Sequence, residues 1–225
     1  LWQFSFTWHK GILFTFLDYY LALMARLFLL RHSHSTANSK GILAGRAPKI
    51  SLSDKGMQER VELTQRLTGA KFDQIISSPL QRCLETIELF NKSPDINPAF
   101  HEVDYGTWTG KKISSLARNK EWRKIHSNPT GVRFPDGETL PEVQLRVLNG
   151  VAESVKSKSK NILIVTHADV IKVLVLHALG THLNNIDKLH ISNSSVSVLD
   201  FSNNDYRVIK VNDDTSKISD LLLKK

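Results

Sequence analysis

What this 225-residue chain has little of narrows its class first. It holds a single cysteine, Cys83, so no internal disulfide can form and a secreted disulfide scaffold is excluded. No Cys/His cluster stands at zinc-site spacing, so no metal is expected, and a reducing cytoplasm is the simplest compartment. Seven prolines and 11 glycines are too few for a collagenous or low-complexity chain, and no internal repeat or heptad pattern is present. Uninterrupted apolar runs of the ~20 residues a membrane-spanning helix needs are also missing. The nearest approach is residues 1–23, rich in Trp, Phe, Leu, Ile and Tyr, but Asp18 breaks it and no small-residue cleavage site follows. We expect Met24 to open the natural chain, with residues 1–23 an over-extended reading of its start. The alternative is a weakly membrane-associating or core-packing extension.

What is present suits a packed globular protein. Hydrophobic side chains make up 41%, and residues 24–225 are expected to form one domain. The 30 Lys and Arg exceed the 22 Asp and Glu, giving +8. That balance favours an anionic partner: nucleic acid, a membrane surface or a phosphorylated metabolite. Charge alone does not choose among them.

From Met24 onward, apolar strand-like runs alternate with helical patterns, which predicts an α/β fold with a mostly parallel sheet covered on both faces, a three-layer α/β/α arrangement. Strands are predicted at 27–30, 72–76, 162–166, 186–191, 195–201 and 206–211. A helix capped by Ser53 places Met57, Val61, Thr64 and Leu67 on one face, and Gly69 stops it. Ser78 and Pro79 suit the start of another, with Leu80, Cys83, Leu84 and Ile87 as its core stripe, so that Cys83 reads as a small buried hydrophobe. Helices are also predicted over 138–156 and, buried nearly all round, over 170–179. Between 91 and 139 the pattern loosens into loops, and the lysine-bearing C-terminal end is expected to fray.

Two histidines stand where strands end. LFLL runs directly into Arg31 and His32, and ILIVT runs directly into His167. In an open parallel sheet, ligands bind beyond the carboxyl ends of the strands, so two imidazoles delivered there can share one crevice. Arg82, in the first turn of the helix after the second strand, can reach the same place. Two arginines and two histidines suit a phosphoryl group: guanidinium forks pair with its oxygens, and a neutral imidazole can attack phosphorus. A carboxyl with a raised pKa would then be needed to protonate the leaving oxygen. His9, His101, His126, His177, His182 and His190 are read as structural.

The string RHSHSTAN at 31–38 resembles the opening motif of the histidine phosphatase, or phosphoglycerate-mutase-like, superfamily. LAGRAPKISLSDKG, SSPLQRCLET, HEVDYGTWTG, FPDGET and ILIVTHADVIK resemble its successive blocks, in order, and the nearest likeness is to a bacterial subgroup labelled as phosphomutases. The resemblance implies a phosphoglycerate-mutase-like fold in which His32 is the phosphoryl-accepting nucleophile. Arg31, Asn38, Arg82 and His167 would hold the phosphate, and Glu102 would be the proton donor, with Asp104 as fallback. It implies no cofactor and no metal. Three positions depart from the family pattern: Ser33 and Ala168 replace glycines, and His34 stands where Glu or another polar residue is usual. They bear on substrate fit and rate rather than on reaction type, serine adopting some backbone angles less readily than glycine.

The family divides into mutases and phosphatases. The 65 positions from Glu102 to His167 look shorter than in true phosphoglycerate mutases, whose longer insert helps exclude water, so hydrolysis is the favoured reading and mutase-type transfer the alternative. Arg46, Lys111, Lys112, Arg118 and Arg123 are candidates for a second anionic group on the substrate, each equally an ordinary solvated base. The expected partner is a small phosphorylated substrate, with no nucleic acid and no membrane, and a homodimer is left open. A non-catalytic anion-binding module is the reading from another class, weakened because the basic residues form no stripe interleaved with aromatics.

Overall fold

In the computed structural model, which describes residues 24–90, 92–157, 159–203 and 205–223, the apolar run after Met24 becomes an interior strand, β1 (Ala25–Arg31). It is joined by β2 (Gln74–Ser77), β3 (Asp95–Ile96), β4 (Asn161–Thr166), β5 (Val196–Ser202) and β6 (Asp205–Asp213) in the order β3-β2-β4-β1-β5-β6. The pairs β1–β4, β2–β4 and β2–β3 are parallel, whereas β5 and β6 close one side antiparallel. The mostly parallel sheet is therefore present with an antiparallel edge. Residues 1–23, and with them both readings of that segment, lie outside the described residues.

The helices are α1 (Thr36–Ser39), α2 (Asp54–Leu67), α3 (Gln81–Thr86), α4 (Ile113–Leu116), α5 (Lys120–Ser127), α6 (Leu140–Val155) and α7 (Ala168–Ala178). Strand side chains alternate between faces, and this produces the three layers. Leu27, Leu29, Ile162 and Ile164 pack with Val143, Val147 and Val151 of α6 and Val170 and Leu174 of α7. Phe28, Leu30, Leu163 and Val165 pack on the opposite face with Leu63 and Leu67 of α2 and Cys83 of α3. Each such fully buried side chain contributes about 1.5–3 kcal/mol. Strands covered on both faces must be apolar throughout, which is why the β1 and β4 sequences do not alternate. Among the described residues, no helix is long and apolar enough to cross a membrane.

Four local expectations are corrected. Residues 186–191 do not form a strand: a 3₁₀ stretch, Leu183–Lys188, buries Leu183 and Ile186 at the three-residue spacing of that helix. In α2, Ser53 is the N-cap as expected, but the inward face carries Gly56, Arg60, Leu63 and Leu67, leaving Met57 and Val61 exposed. The cause is a close backbone approach: a Cβ on Gly56 would stand 1.9 Å from the His34 carbonyl oxygen, so only glycine lets that face turn in. Helix α3 begins at Gln81 with Leu80 as its N-cap, and Ser78 has a different partner, described below. The C-terminal segment is docked as far as residue 223: Ile218 is fully buried, and Leu223 exchanges hydrogen bonds with the Asn161 side chain.

Candidate active site

Register brings the two histidines together. Arg31 pairs with Thr166 across β1 and β4, so the next residue of each parallel strand leaves the sheet at the same edge. The His32 N–H donates to the Thr166 carbonyl at 3.0 Å, and the His32 and His167 ring centroids are 5.2 Å apart. Arg82, fully buried on α3, bridges them: Nε donates to His32 Nε2 and Nη2 to His167 Nδ1, both at 3.2 Å, and Nη2 also donates to the Gly45 carbonyl at 2.9 Å. Glu102 reaches the same cluster, its Oε2 lying 3.7 Å from His167 Nδ1. Arg31, His32, Arg82, Glu102 and His167 are thus assembled from four separate stretches of chain.

The protonation states follow from the partners. His32 Nδ1 lies 2.8 Å from the Ser33 carbonyl, which can only accept, so Nδ1 carries the proton and Nε2 keeps its lone pair. Burial, with Arg82 and Arg31 nearby, holds the His32 pKa well below its usual value, and burial with Arg82 does the same to His167. Both rings are neutral near pH 7. His167 accepts from Arg82 at Nδ1 and places Nε2 2.9 Å from Ser78 Oγ, to which it donates. Glu102 is shifted the other way: burial, then the negative charge of Asp169, pushes its pKa up to about 7. Its Oε1 accepts from the Val103 N–H at 2.9 Å, which leaves Oε2 as the oxygen free to hold a proton.

Among the described residues, Arg31 Nε and Arg82 Nη1 are buried without a hydrogen-bond partner. An unpaired buried donor costs roughly 1–3 kcal/mol, and more when charged. Two such donors beside two neutral imidazoles form a cradle for a dianion.

Not every sequence candidate joins this cluster. Asn38 is exposed, and its side-chain oxygen closes the capping box of α1 on Ser35 instead of bonding to Arg31, His32, Arg82 or His167. Asp104 turns its carboxylate to the Gly106 N–H and toward Arg46, away from the histidines. Arg46 is itself ion-paired with Glu138, while Lys111, Lys112, Arg118 and Arg123 are exposed, the ordinary solvated alternative. The structure adds residues that sequence patterning did not single out. Thr86 Oγ1 accepts from the Ser33 N–H at 2.9 Å, Asn193 Nδ2 donates to the His32 carbonyl at 3.1 Å, and Ser78 fixes the ring of His167. No local pattern marks them, since each acts through a contact distant in sequence.

The departures at 33 and 34 are absorbed. Ser33 is not among the residues with positive φ, so serine is unstrained there, and its hydroxyl pairs with Ser194 Oγ at 2.7 Å. The His34 N–H donates to Glu59 and its Nδ1 lies 2.7 Å from Ser53 Oγ. Cys83 packs beside the site with Sγ 3.6 Å from His167 Nε2, and burial pushes its thiol up to about 12. Native protein at pH 8 is therefore expected to react with iodoacetamide at least about a hundredfold more slowly than protein unfolded in urea. Comparable rates in a mass-spectrometric time course would contradict the buried, protonated thiol.

The family model described as histidine phosphatase superfamily (branch 1) matches residues 27–214. The chain belongs to this superfamily and is an enzyme. Phosphoserine phosphatase 1 of Hydrogenobacter thermophilus is 28% identical over 197 residues, spanning 84% of this chain and 92% of the relative. A protein of Erwinia tasmaniensis named "Probable phosphoglycerate mutase GpmB" is 26% identical over 211 residues, covering 89% and 98%. Among solved structures, a phosphoserine phosphatase mutant of Entamoeba histolytica in complex with phosphoserine superposes with TM-score 0.77 at 25% identity, covering 85% of this chain and 98% of that one. YhfR of Bacillus stearothermophilus gives TM-score 0.79 at 25% identity, covering 86% and 99%. Histidine phosphatases of both hydrolytic and mutase type are thus among the relatives.

Proposed function

We propose that this histidine phosphatase hydrolyses small phosphate monoesters through a phosphohistidine on His32. The observation that carries the reading is the pair of orphaned buried guanidinium donors on Arg31 and Arg82, in the same cluster as His32, whose Nε2 keeps its lone pair. In the first step Nε2 attacks phosphorus as the ester P–O bond breaks. Glu102 Oε2 gives its proton to the departing oxygen, releasing the alcohol. In the second step the ionised Glu102 takes a proton from water as the water oxygen attacks phosphorus, the N–P bond breaks, and phosphate leaves with His32 restored. Arg31 and Arg82 face the phosphoryl oxygens and stabilise the charge that grows on them, and His167, accepting from Arg82 at Nδ1, orients that guanidinium. Asn38 would join only by giving its amide group to the phosphate while its oxygen keeps the cap of α1.

Phosphoserine and 3-phosphoglycerate are the first esters to test, because relatives are named for phosphoserine and for phosphoglycerate. A phosphorus NMR time course with each, with and without bisphosphoglycerate, decides between the two activities. Free phosphate from the wild type is the expected product. Conversion of 3-phosphoglycerate to 2-phosphoglycerate that needs priming would instead establish a mutase.

Arg82→Met tests the cradle. It should raise KM and lower kcat together, with kcat/KM down about 10²–10³-fold, the usual loss for one transition-state donor. Because Arg82 also depresses both histidine pKa values, the acid limb of the rate profile should move to higher pH. An unmoved acid limb with a normal KM would remove Arg82 from the site.

A further inference from the structure

The acid in this mechanism sits on a loop without regular structure, and its placement needs a cause. Glu102 follows a single 3₁₀ turn, Pro98–Phe100, and precedes a second one, Gly106–Trp108. Side chains distant in sequence hold the segment between them. Arg146, in the middle of α6 and only 19% exposed, donates from Nη1 to the carbonyls of Ala99 at 2.8 Å and His101 at 2.9 Å, and from Nη2 to the Glu102 carbonyl at 3.1 Å. Arg46 donates from Nε to the same Glu102 carbonyl at 2.9 Å. The Glu138 carboxylate joins both guanidinium groups, with Oε1 2.8 Å from Arg46 Nη2 and 2.8 Å from Arg146 Nε, and its Oε2 accepts from the Asp104 N–H at 3.0 Å.

We infer that Arg146, with Arg46 and Glu138, is the positioning device of the proton donor, locking the 99–104 backbone so that Glu102 Oε2 faces the leaving oxygen beside His167. Charge-assisted hydrogen bonds to three carbonyls within four residues remove the local freedom that an irregular loop otherwise keeps. The ion pairs are partly buried, so removing one partner leaves a charge poorly compensated and the loop free to shift. A displacement of about 1 Å is enough to cost about 10²-fold in a step that depends on alignment. None of the three residues contacts His32 or Arg82, so the phosphate cradle is left standing. The neighbouring turn is built to the same end: Gly106 has φ +52, and a Cβ there would stand 1.8 Å from the Pro135 carbonyl oxygen, so the donor loop and the turn ahead of Glu138 lie against each other.

The inference rests on Glu102 being the proton donor, and the test separates the two claims. Arg146→Met, Arg146→Lys, Arg46→Met, Glu102→Gln and the double variant Arg146→Met/Glu102→Gln are compared on an alkyl phosphate and on p-nitrophenyl phosphate. The nitrophenolate leaves without a proton, so only the alkyl ester reports proton donation. With Arg146→Met, kcat/KM, which reports the first step alone, is expected to fall about tenfold or more on the alkyl ester and about threefold or less on the aryl ester, with KM for the alkyl ester within about threefold. Lysine, which keeps the charge without the fork, should restore part of the loss, and the double variant should be no slower on the alkyl ester than Glu102→Gln alone. Equal losses on both esters, or a double variant showing the product of the two single losses, would overturn the positioning role while leaving the donor in place. If Glu102→Gln itself shows no preference between esters, the donor reading fails first and takes the inference with it. Should Arg146→Met not fold, Arg46→Met, whose side chain is 31% exposed, decides by the same ratio.

Discussion

Alanine at position 32 is expected to abolish turnover of every phosphate monoester, activated aryl esters included. The reason lies in the order of bond changes. Glu102 moves a proton to the leaving oxygen and later from the attacking water, and Arg82 lowers a barrier that remains passable without it, but the nucleophile is required whatever leaves. Losses on removing a nucleophile run to about 10⁶-fold in kcat in enzymes of covalent type. Here the ring is prepared by Nδ1 donating to the Ser33 carbonyl and by burial among cations, both of which keep Nε2 unprotonated at neutral pH. Rapid-quench trapping should show a phosphoenzyme stable to base and labile to acid in the wild type and none in His32→Ala. Residual steady turnover above about 1% of wild type would point to a different nucleophile.

Glu102→Gln carries the second large effect, and its sign depends on both substrate and pH. For alkyl esters the loss should approach the 10²–10⁴-fold typical of general acid catalysis, while p-nitrophenyl phosphate is spared in the first step. In the wild type a carboxyl with pKa about 7 is protonated below that pH, so kcat/KM for alkyl esters should decline tenfold per unit as pH rises above about 7. The Gln variant should lose that limb. The same residue also opposes stability. In the unfolded chain a glutamate ionises near its ordinary value of 4.5, while the folded protein retains the proton to about 7. Stability is therefore lost as pH rises across that interval, and above it the penalty is constant at about 3 kcal/mol. Glutamine carries no such penalty, so Glu102→Gln should melt a few degrees higher than wild type at pH 8 and nearly level with it at pH 4.5. A lower melting temperature at pH 8 would contradict the buried, elevated carboxyl.

Trading stability for a poised acid is a common signature of active sites. Here the surrounding residues show how the trade is held in place. Asp169, two residues after His167, adds to the elevation of Glu102 and accepts the Tyr105 hydroxyl at 2.6 Å. The Arg146, Arg46 and Glu138 group keeps the donor loop from relaxing into solvent, where the carboxyl would ionise at its usual value.

The sequence alone determined the layer order and which side chains stand at the strand ends. Apolar runs for β1, β2 and β4, broken by helical periodicity, require a sheet buried on both faces, and a residue directly after such a run must emerge at its carboxyl end. That made His32 and His167 legible before any contact was known. Arg82 was legible from its place in the first turn of α3, and Glu102 from its position in the HEVDYGTWTG block. Only the tertiary structure decided the rest. The α2 face was misread because hydrophobicity favoured Met57 and Val61, whereas the backbone approach of Gly56 to His34 turns the other side inward. Residues 186–191 carry strand-like side chains, but their burial follows a 3₁₀ period. Ser78 was assigned to a helix start by its type, and its hydroxyl, besides accepting from the Leu80 N–H, serves a histidine 89 positions away. The guanidinium clamp on Glu102 draws on residues 46, 138 and 146. Each looks like an ordinary surface charge in its own segment, because periodicity reports only how a segment faces its core, and a hydrogen bond between distant segments exists only once the chain has closed.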